Sequence, residues 1–249
     1  MEFAHLSSTV EIKKIEETAS KGMFHIEGLF AGYGVTLGNA LRRALLSSLP
    51  GAAVTQIKIQ GAPHEFTTIQ GIKEDMVEVS LNFKKLRFRV HSDEPQVLRI
   101  EAKGEKIVTG KDIVVNSEVE VINPEVELCS LTAKNAEFVA ELTVERGLGY
   151  WPVESRKHAE KLPVGAVAID AIFSPVLRVN TEVENMRVGD RTDFNRLKIE
   201  IDTDGTVSPS QAIHKAANIL KDHFDKLLSV PVEEFDAVVE KPSKKKTAK

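Results

Sequence analysis

The sequence predicts an α+β fold in which an inserted β-rich domain interrupts one α/β domain. Strand and helix patterns occur at both ends of the 249-residue chain, whereas short alternating runs separated by Gly, Pro, Asn and Asp fill the middle. We therefore expect residues 1–50 and 173–232 to form one discontinuous domain and residues 51–172 to form the insertion. The lysine-rich end, residues 233–249, is predicted to be a disordered tail.

The N-terminal part is predicted to contain two strands and a helix. Residues Thr9–Ile15 and Met23–Leu29 alternate apolar and polar side chains with a period of two. A glycine-rich turn leads into a helix over Thr36–Leu49, with its first residue as the N-cap and Pro50-Gly51 as the stop signal.

The middle of the chain has the texture of short strands rich in β-branched residues. One stretch, Glu74–Phe83, fits a strand or a helix, and its acids at the start and lysines after its end favour a short helix. The predicted strands lie in Val54–Ile59, Leu86–Val90, Val97–Ile100, Val119–Ile122 and Phe138–Val144.

The C-terminal part returns to longer elements. Arg196–Ile201 alternates as a strand, and Asp202–Gly205 is a turn signal that we interpret as a hairpin turn. Ser208 to Gln211 forms a capping box with Pro at the first helical position. Apolar residues then recur at helical spacing for about 20 residues, which predicts a helix roughly 30 Å long.

Composition excludes several classes of protein. The net charge of −4 provides no chain-wide basic field for nucleic acid, and the single cysteine, Cys129, excludes an internal disulfide and a thiol-rich zinc site. No stretch approaches the roughly 20 apolar residues needed to span a bilayer, and the N-terminus does not resemble a signal peptide. We expect a cytoplasmic protein with no cofactor and no metal.

The predicted first helix has two different sides. At 100° per residue, one stripe consists of Leu37, Leu41, Ala44 and Leu45. The opposite side carries Asn39, Arg42, Arg43 and Leu46. A solvated face is the simple explanation of the second set, but adjacent guanidinium groups beside an apolar side chain favour a docking face for a carboxylate-bearing partner. The stripe of the last helix packs either on its own sheet or on a second copy of the chain.

Other patterns are weaker indications of chemistry. Gly32, Gly34 and Gly38 suggest a dinucleotide fingerprint, but the third glycine is one position late, so a chain turn is favoured. Asp202 and Asp204 resemble half a metal loop, but they lack the remaining ligands of such a loop, and turn formation is the favoured interpretation.

Several longer segments together resemble a known family. They are GYGVTLGNALRRALLSSLPGAAVT (32–55), HEFTTIQGIKED (64–75), ERGLGY (145–150), FSPV (173–176) and RTDFNRLKIEIDTDGTVSPSQAI (191–213). These segments, in this order, resemble the N-terminal domain of the bacterial RNA polymerase alpha subunit. The resemblance implies that the α/β domain is a dimerisation domain and that the chain carries no catalytic residues.

The resemblance also implies a set of partners. A homodimer would nucleate assembly with the beta and beta-prime subunits, in a complex that also contains omega and sigma. DNA would be reached only through that complex, and no membrane would be involved. Members of the family typically continue into a small DNA-binding helical domain, which is missing here because the sequence ends at Lys249. Either the protein naturally lacks that domain or the sequence is a truncated form.

Residue roles follow from the resemblance by position. The dimer interface would use Leu37, Leu41, Leu45, Ile213, Ala217, Leu220 and Phe224. Docking of the beta subunit would centre on Arg43, with Arg42, Asn39 and Leu46 beside it, and would extend to His64, Glu65, Gly71, Glu74 and Asp75. The beta-prime side would involve Arg178, Arg191 and Asp193. Leu148 and the pair Phe194-Asn195 depart from the family's usual residues, which puts local contacts there in doubt.

Overall fold

The structure, a computed structural model, describes residues 9–156, 163 and 165–231. It confirms the predicted α+β class. The helices are α1 Tyr33–Ser47, α2 Met76–Phe83, α3 Val153–Arg156 and α4 Pro209–Leu227. Within the described residues the strands are, in chain order, β1 Glu11–Glu17, β2 Lys21–Leu29, β3 Pro50–Ile59, β4 Phe88–Val90, β5 Gln96–Lys103, β6 Lys106–Thr109, β7 Ile113–Val114, β8 Val119–Val121, β9 Glu127–Leu131, β10 Glu137–Leu148, β11 Tyr150–Trp151, β12 Ala166–Ala168, β13 Ala171–Ile172, β14 Val176–Val188 and β15 Arg191–Thr203. The predicted tail lies outside the described residues.

The two ends of the described chain share one antiparallel sheet. Its strand order is β1-β2-β15-β14, so the long C-terminal hairpin pairs with the N-terminal hairpin. Leu197, Ile199 and Ile201 alternate along β15 and are fully buried in the apolar cluster that includes residues of α1 and α4. We call this sheet with α1 and α4 the first lobe.

The middle of the chain builds a second antiparallel sheet with a separate core. Its order is β12-β3-β10-β5-β7, and α2 packs Met76, Val79 and Phe83 into the same cluster as Phe138 and other strand residues. Three strand pairs, β4-β8, β6-β9 and β11-β13, complete this part. We call it the second lobe.

The chain passes between the lobes at two points that touch each other. A Cβ atom added to Gly51 would lie 1.8 Å from the carbonyl oxygen of Phe173, so only glycine fits there. The hydroxyl of Ser174 donates a hydrogen bond to the carbonyl of Leu46 in α1, at 3.1 Å. The outgoing and returning segments are therefore packed together at the end of α1.

Some predicted boundaries are confirmed and others are wrong. The short helix in 74–83 forms as α2, and Ser208 caps α4 through the expected capping box. The predicted N-cap Thr36 is wrong, because the N-cap of α1 is Gly32, four positions earlier, whose φ of 86° is left-handed. The turn at 202–205 joins a strand to a helix and is not a hairpin.

Candidate docking surface

Two glycines let α1 lie unusually close to its sheet. A Cβ on Gly34 would come within 2.7 Å of Val183 Cγ1, and one on Gly38 within 3.0 Å of a Leu197 methyl group. The backbone N–H of Gly32 donates to Asn195 Oδ1 at 2.9 Å, which fixes the start of the helix. Close packing and a left-handed turn therefore account for the glycine pattern without a phosphate ligand.

The structure separates the two sides of α1. Leu41, Ala44 and Leu45 are buried in the core of the first lobe. Asn39, Arg42 and Arg43 are exposed and form what we call the arginine face. Within the described residues neither Arg42 nor Arg43 has a carboxylate partner. Their guanidinium groups are therefore free to pair with a carboxylate from another molecule.

Leu46 borders the arginine face and is half-buried against the first-lobe core. Its position therefore combines a structural contact with a remaining apolar surface. Single exposed leucines are common on protein surfaces, so Leu46 indicates a docking surface only in combination with the arginines beside it.

The segment containing His64, Glu65, Gly71, Glu74 and Asp75 has well-defined local roles. The Glu74 carboxylate accepts hydrogen bonds from the backbone N–H and the hydroxyl of Ser130, at 2.7 and 2.8 Å. Burial opposes ionisation of Glu74, yet these hydrogen bonds bring its pKa below the ordinary value. Asp75 is the N-cap of α2 and accepts from the N–H of Glu78 at 2.7 Å.

The rest of that segment is closer to a surface loop. Gly71 has a φ of 87°, and a Cβ there would lie 2.9 Å from the Ala136 methyl group. His64 is exposed, with its ring Nδ1 3.0 Å from the Thr67 hydroxyl. Glu65 is exposed beside Phe66, whose side chain is 76% exposed. Only His64 and Glu65 thus have no evident folding role beyond the loop itself.

The tip of the β14–β15 hairpin carries a preformed ion pair. Arg191 donates two hydrogen bonds to the Asp193 carboxylate, at 3.0 and 2.6 Å, and these lower the pKa of Asp193. The same guanidinium lies 5.0 Å from the ring centre of Phe30 and 5.3 Å from that of Phe194. Phe30 and Phe194 pack edge to face.

Arg178 lies on the same hairpin, away from its tip. It is exposed and donates to Asp202 at 2.9 Å. Arg178 is therefore not brought together with Arg191 and Asp193 into one cluster.

The residues expected at a dimer interface fall into two groups. Leu41 and Leu45 are buried in the core of the first lobe. Leu37, Ile213 and Leu220 are half-buried, whereas Ala217 and Phe224 are exposed. We call Phe224, Leu227 and Leu228 the apolar end of α4, because their exposures of 60, 63 and 82% leave three large side chains in solvent.

Three of the residues that shape these surfaces, Leu227, Leu228 and Asn195, were not identified from the sequence as functional. Leu227 and Leu228 extend the apolar end of α4, and helical spacing alone signals them. Asn195, which anchors Gly32, could be noticed only as a departure from the family's usual residue.

Three further observations concern metal-binding side chains, the single thiol and the hydrophobicity of the helices. No group of three metal-binding side chains comes together within 9–156 and 165–231. Burial raises the pKa of Cys129 to about 12, so its thiol is not ionised at neutral pH. None of the helices in the described part of the chain is both long and apolar enough to cross a membrane.

Comparison with known proteins decides the family. The RNA polymerase Rpb3/RpoA insert domain matches residues 57–174. The DNA-directed RNA polymerase subunit alpha of Symbiobacterium thermophilum is 44% identical over 234 residues, which is 93% of this chain and 74% of that protein. This chain belongs to the alpha-subunit family of DNA-directed RNA polymerases.

Other alpha subunits give the same result. The subunit of Carboxydothermus hydrogenoformans is 51% identical over 203 residues, 82% of this chain and 64% of its own length. That of Alkaliphilus oremlandii is 44% identical over 239 residues, 95% of this chain and 75% of its own length. The matched part of this chain thus spans between 64 and 75% of these alpha subunits.

Proposed function

We propose that the chain is a non-catalytic alpha subunit that dimerises and scaffolds the assembly of the beta and beta-prime subunits of DNA-directed RNA polymerase in the cytoplasm. The observation that carries the proposal is the arginine face of α1. The same short helix that buries Leu41 and Leu45 leaves Arg42 and Arg43 exposed and without a carboxylate partner among the described residues. A rigid helix with paired guanidinium groups suits recognition of carboxylates on a large partner.

The dimer would use the outer surface of α1 and α4. Phe224 and its neighbours at the apolar end of α4 give the proposed interface large apolar side chains that are exposed in the protomer. A two-fold interface would contain each of these side chains twice, once from each copy of the chain. In this proposal Leu37, Ile213, Ala217, Leu220 and Phe224 make the contact, and Leu41 and Leu45 hold α1 in place beneath it.

The docking of beta would centre on Arg43, with Arg42, Asn39 and Leu46 around it. His64 and Glu65 are the better candidates in the second segment, because Gly71, Glu74 and Asp75 already serve the fold. The beta-prime side would use the hairpin tip with Arg191 and Asp193, and Arg178 farther along. Residues 51–172 would be an inserted domain within the dimerisation domain.

Co-purification tests this function directly. An affinity-tagged chain expressed with the two large subunits should retain both, whereas Arg43→Ala should lose the beta subunit and keep its own fold and dimeric state. Arg99→Ala is the matched control, because Arg99 is an exposed arginine on β5 of the second lobe. Retention of beta by Arg43→Ala at the level of Arg99→Ala would contradict the proposed docking site.

A further inference from the structure

A cavity of about 480 Å³ lies between the two lobes. From the second lobe it is lined by residues of β3, β4 and β10, including Arg89 and Arg146, and by His91, which directly follows β4. From the first lobe it is lined by the segment that leads into α4 and by the first turns of that helix, including Thr206 and Lys215. Its size is in the range of pockets that hold small molecules, roughly 300–1,000 Å³.

The lining of the cavity is basic, although the chain as a whole is slightly acidic. Four of its lining side chains, those of Arg89, His91, Arg146 and Lys215, are basic, and none of the described residues that line it is acidic. The whole chain has a net charge of −4. Basic side chains are therefore concentrated in the lining of this cavity, and the carboxylates that pair with Arg89 and Arg146, those of Glu120 and Asp93, are not part of that lining.

The cations are held in different ways. The Arg89 guanidinium donates to the carbonyl of Thr206 from Nε at 3.2 Å and from Nη2 at 3.1 Å, so its position is fixed across the lobe boundary. Its Nη1 donates to Glu120 at 2.7 Å.

Arg146 and Lys215 have weaker interactions with the rest of the protein than Arg89 has. Arg146 pairs with Asp93, whose side chain is 92% exposed, and such a pair contributes little because water screens it. Lys215 has no ion pair with any residue in the described part of the chain. An anion that binds to Arg146 or Lys215 would therefore displace at most one weak, solvent-exposed ion pair.

We propose that this cavity is a binding site for a multivalent phosphate group, that of an oligophosphate or of a nucleoside di- or triphosphate. Guanidinium forks and an ammonium group are the donors that proteins use for phosphate oxygens. Several cations around one concave volume favour a ligand with several negative charges over a monovalent anion. Because Arg89 is already immobilised, part of the entropy cost of ordering the site is met before the ligand arrives.

Calorimetric titration of the full chain with inorganic triphosphate tests the site. The wild type should bind one triphosphate per chain, and Lys215→Ala and Arg146→Ala should each weaken binding roughly tenfold or more, because each removes a charge-assisted hydrogen bond. Lys58→Ala is the matched control. It makes the same change in charge on β3, about 20 Å along the strand from the Ala52 that lines the cavity.

Two results would overturn the proposal. One is the absence of saturable binding by the wild-type chain at low ionic strength. The other is an equal loss of affinity in Lys58→Ala and Lys215→Ala, which would show diffuse attraction to the surface and not a site. Circular dichroism of each variant establishes that it is folded, and Lys215→Gln, which keeps a long polar side chain without the charge, should behave like Lys215→Ala.

Discussion

Replacing Leu45 with alanine should destabilise each protomer, whereas replacing Phe224 with alanine should weaken the association of two protomers. Leu45 is completely buried in the first-lobe core, and Phe224 is 60% exposed in the protomer. Truncation of a buried leucine leaves a cavity and costs about 3 kcal/mol. For a chain of this size the midpoint of thermal unfolding should fall by about 6–12 °C at every protein concentration.

Phe224→Ala should act through a different equilibrium. Covering the exposed part of a phenylalanine ring contributes about 1–2 kcal/mol, and a two-fold interface contains the ring twice. The dissociation constant of the dimer should therefore rise on the order of a hundredfold. The midpoint of thermal unfolding should fall only because the variant loses stabilisation that dimerisation provides, so the size of the fall should depend on protein concentration.

Sedimentation equilibrium and thermal unfolding followed by circular dichroism separate these effects. Phe66→Ala is the matched control, because Phe66 is 76% exposed on a loop of the second lobe and should change neither quantity. A Leu45→Ala variant that unfolds like the wild type but dissociates into monomers would refute the assignment of Leu45 to the protomer core. A Phe224→Ala variant with unchanged dimer affinity would refute the proposed use of the apolar end of α4.

Two further predictions concern how α1 and α4 are held on the sheet. Gly34→Ala should lower the free energy of unfolding in urea by about 1–3 kcal/mol, because the new methyl group would lie 2.7 Å from Val183 Cγ1 and force the helix outward. An unchanged midpoint of the urea unfolding curve would contradict the tight packing of α1. Glu17 accepts hydrogen bonds from the N–H and hydroxyl of Ser210 in α4, and these lower the pKa of Glu17 from the ordinary 4.5. Its contribution to stability is therefore present above pH 4.5 and is lost as the pH falls through the lowered pKa, so Glu17→Gln should be less stable than the wild type at pH 7 and equally stable in acid. A constant difference in stability across a pH series of urea titrations would contradict this linkage.

Local signals in the sequence predicted several elements well. The capping box at Ser208 marks the start of α4 because every partner in it lies within four residues. The acids and lysines around α2 likewise favoured a helix where periodicity was ambiguous. The strand β14 was not predicted, since its register with β15 shifts at two points, and each shift interrupts the regular alternation of buried and exposed side chains.

The roles of residues that contact distant parts of the chain could not be predicted from the sequence. Glu74 is held by Ser130, and Gly71 packs against Ala136, both of which come from a different part of the second lobe. The N-cap of α1 was misplaced because a left-handed glycine anchored by Asn195 replaces the side-chain cap that Thr36 would provide. The two sides of α1, in contrast, follow directly from helical periodicity, and the burial of its residues agrees with them except at Leu46, which is half-buried against the core.

A photo-crosslinker placed at position 43 shows whether the arginine face docks the beta subunit, because it reports which protein touches that face during assembly. With the large subunits present, we expect a crosslinked product between this chain and the beta subunit, and none from the same probe at position 99. Assembly of the complex without any crosslink from position 43, or a crosslink confined to this chain itself, would contradict it.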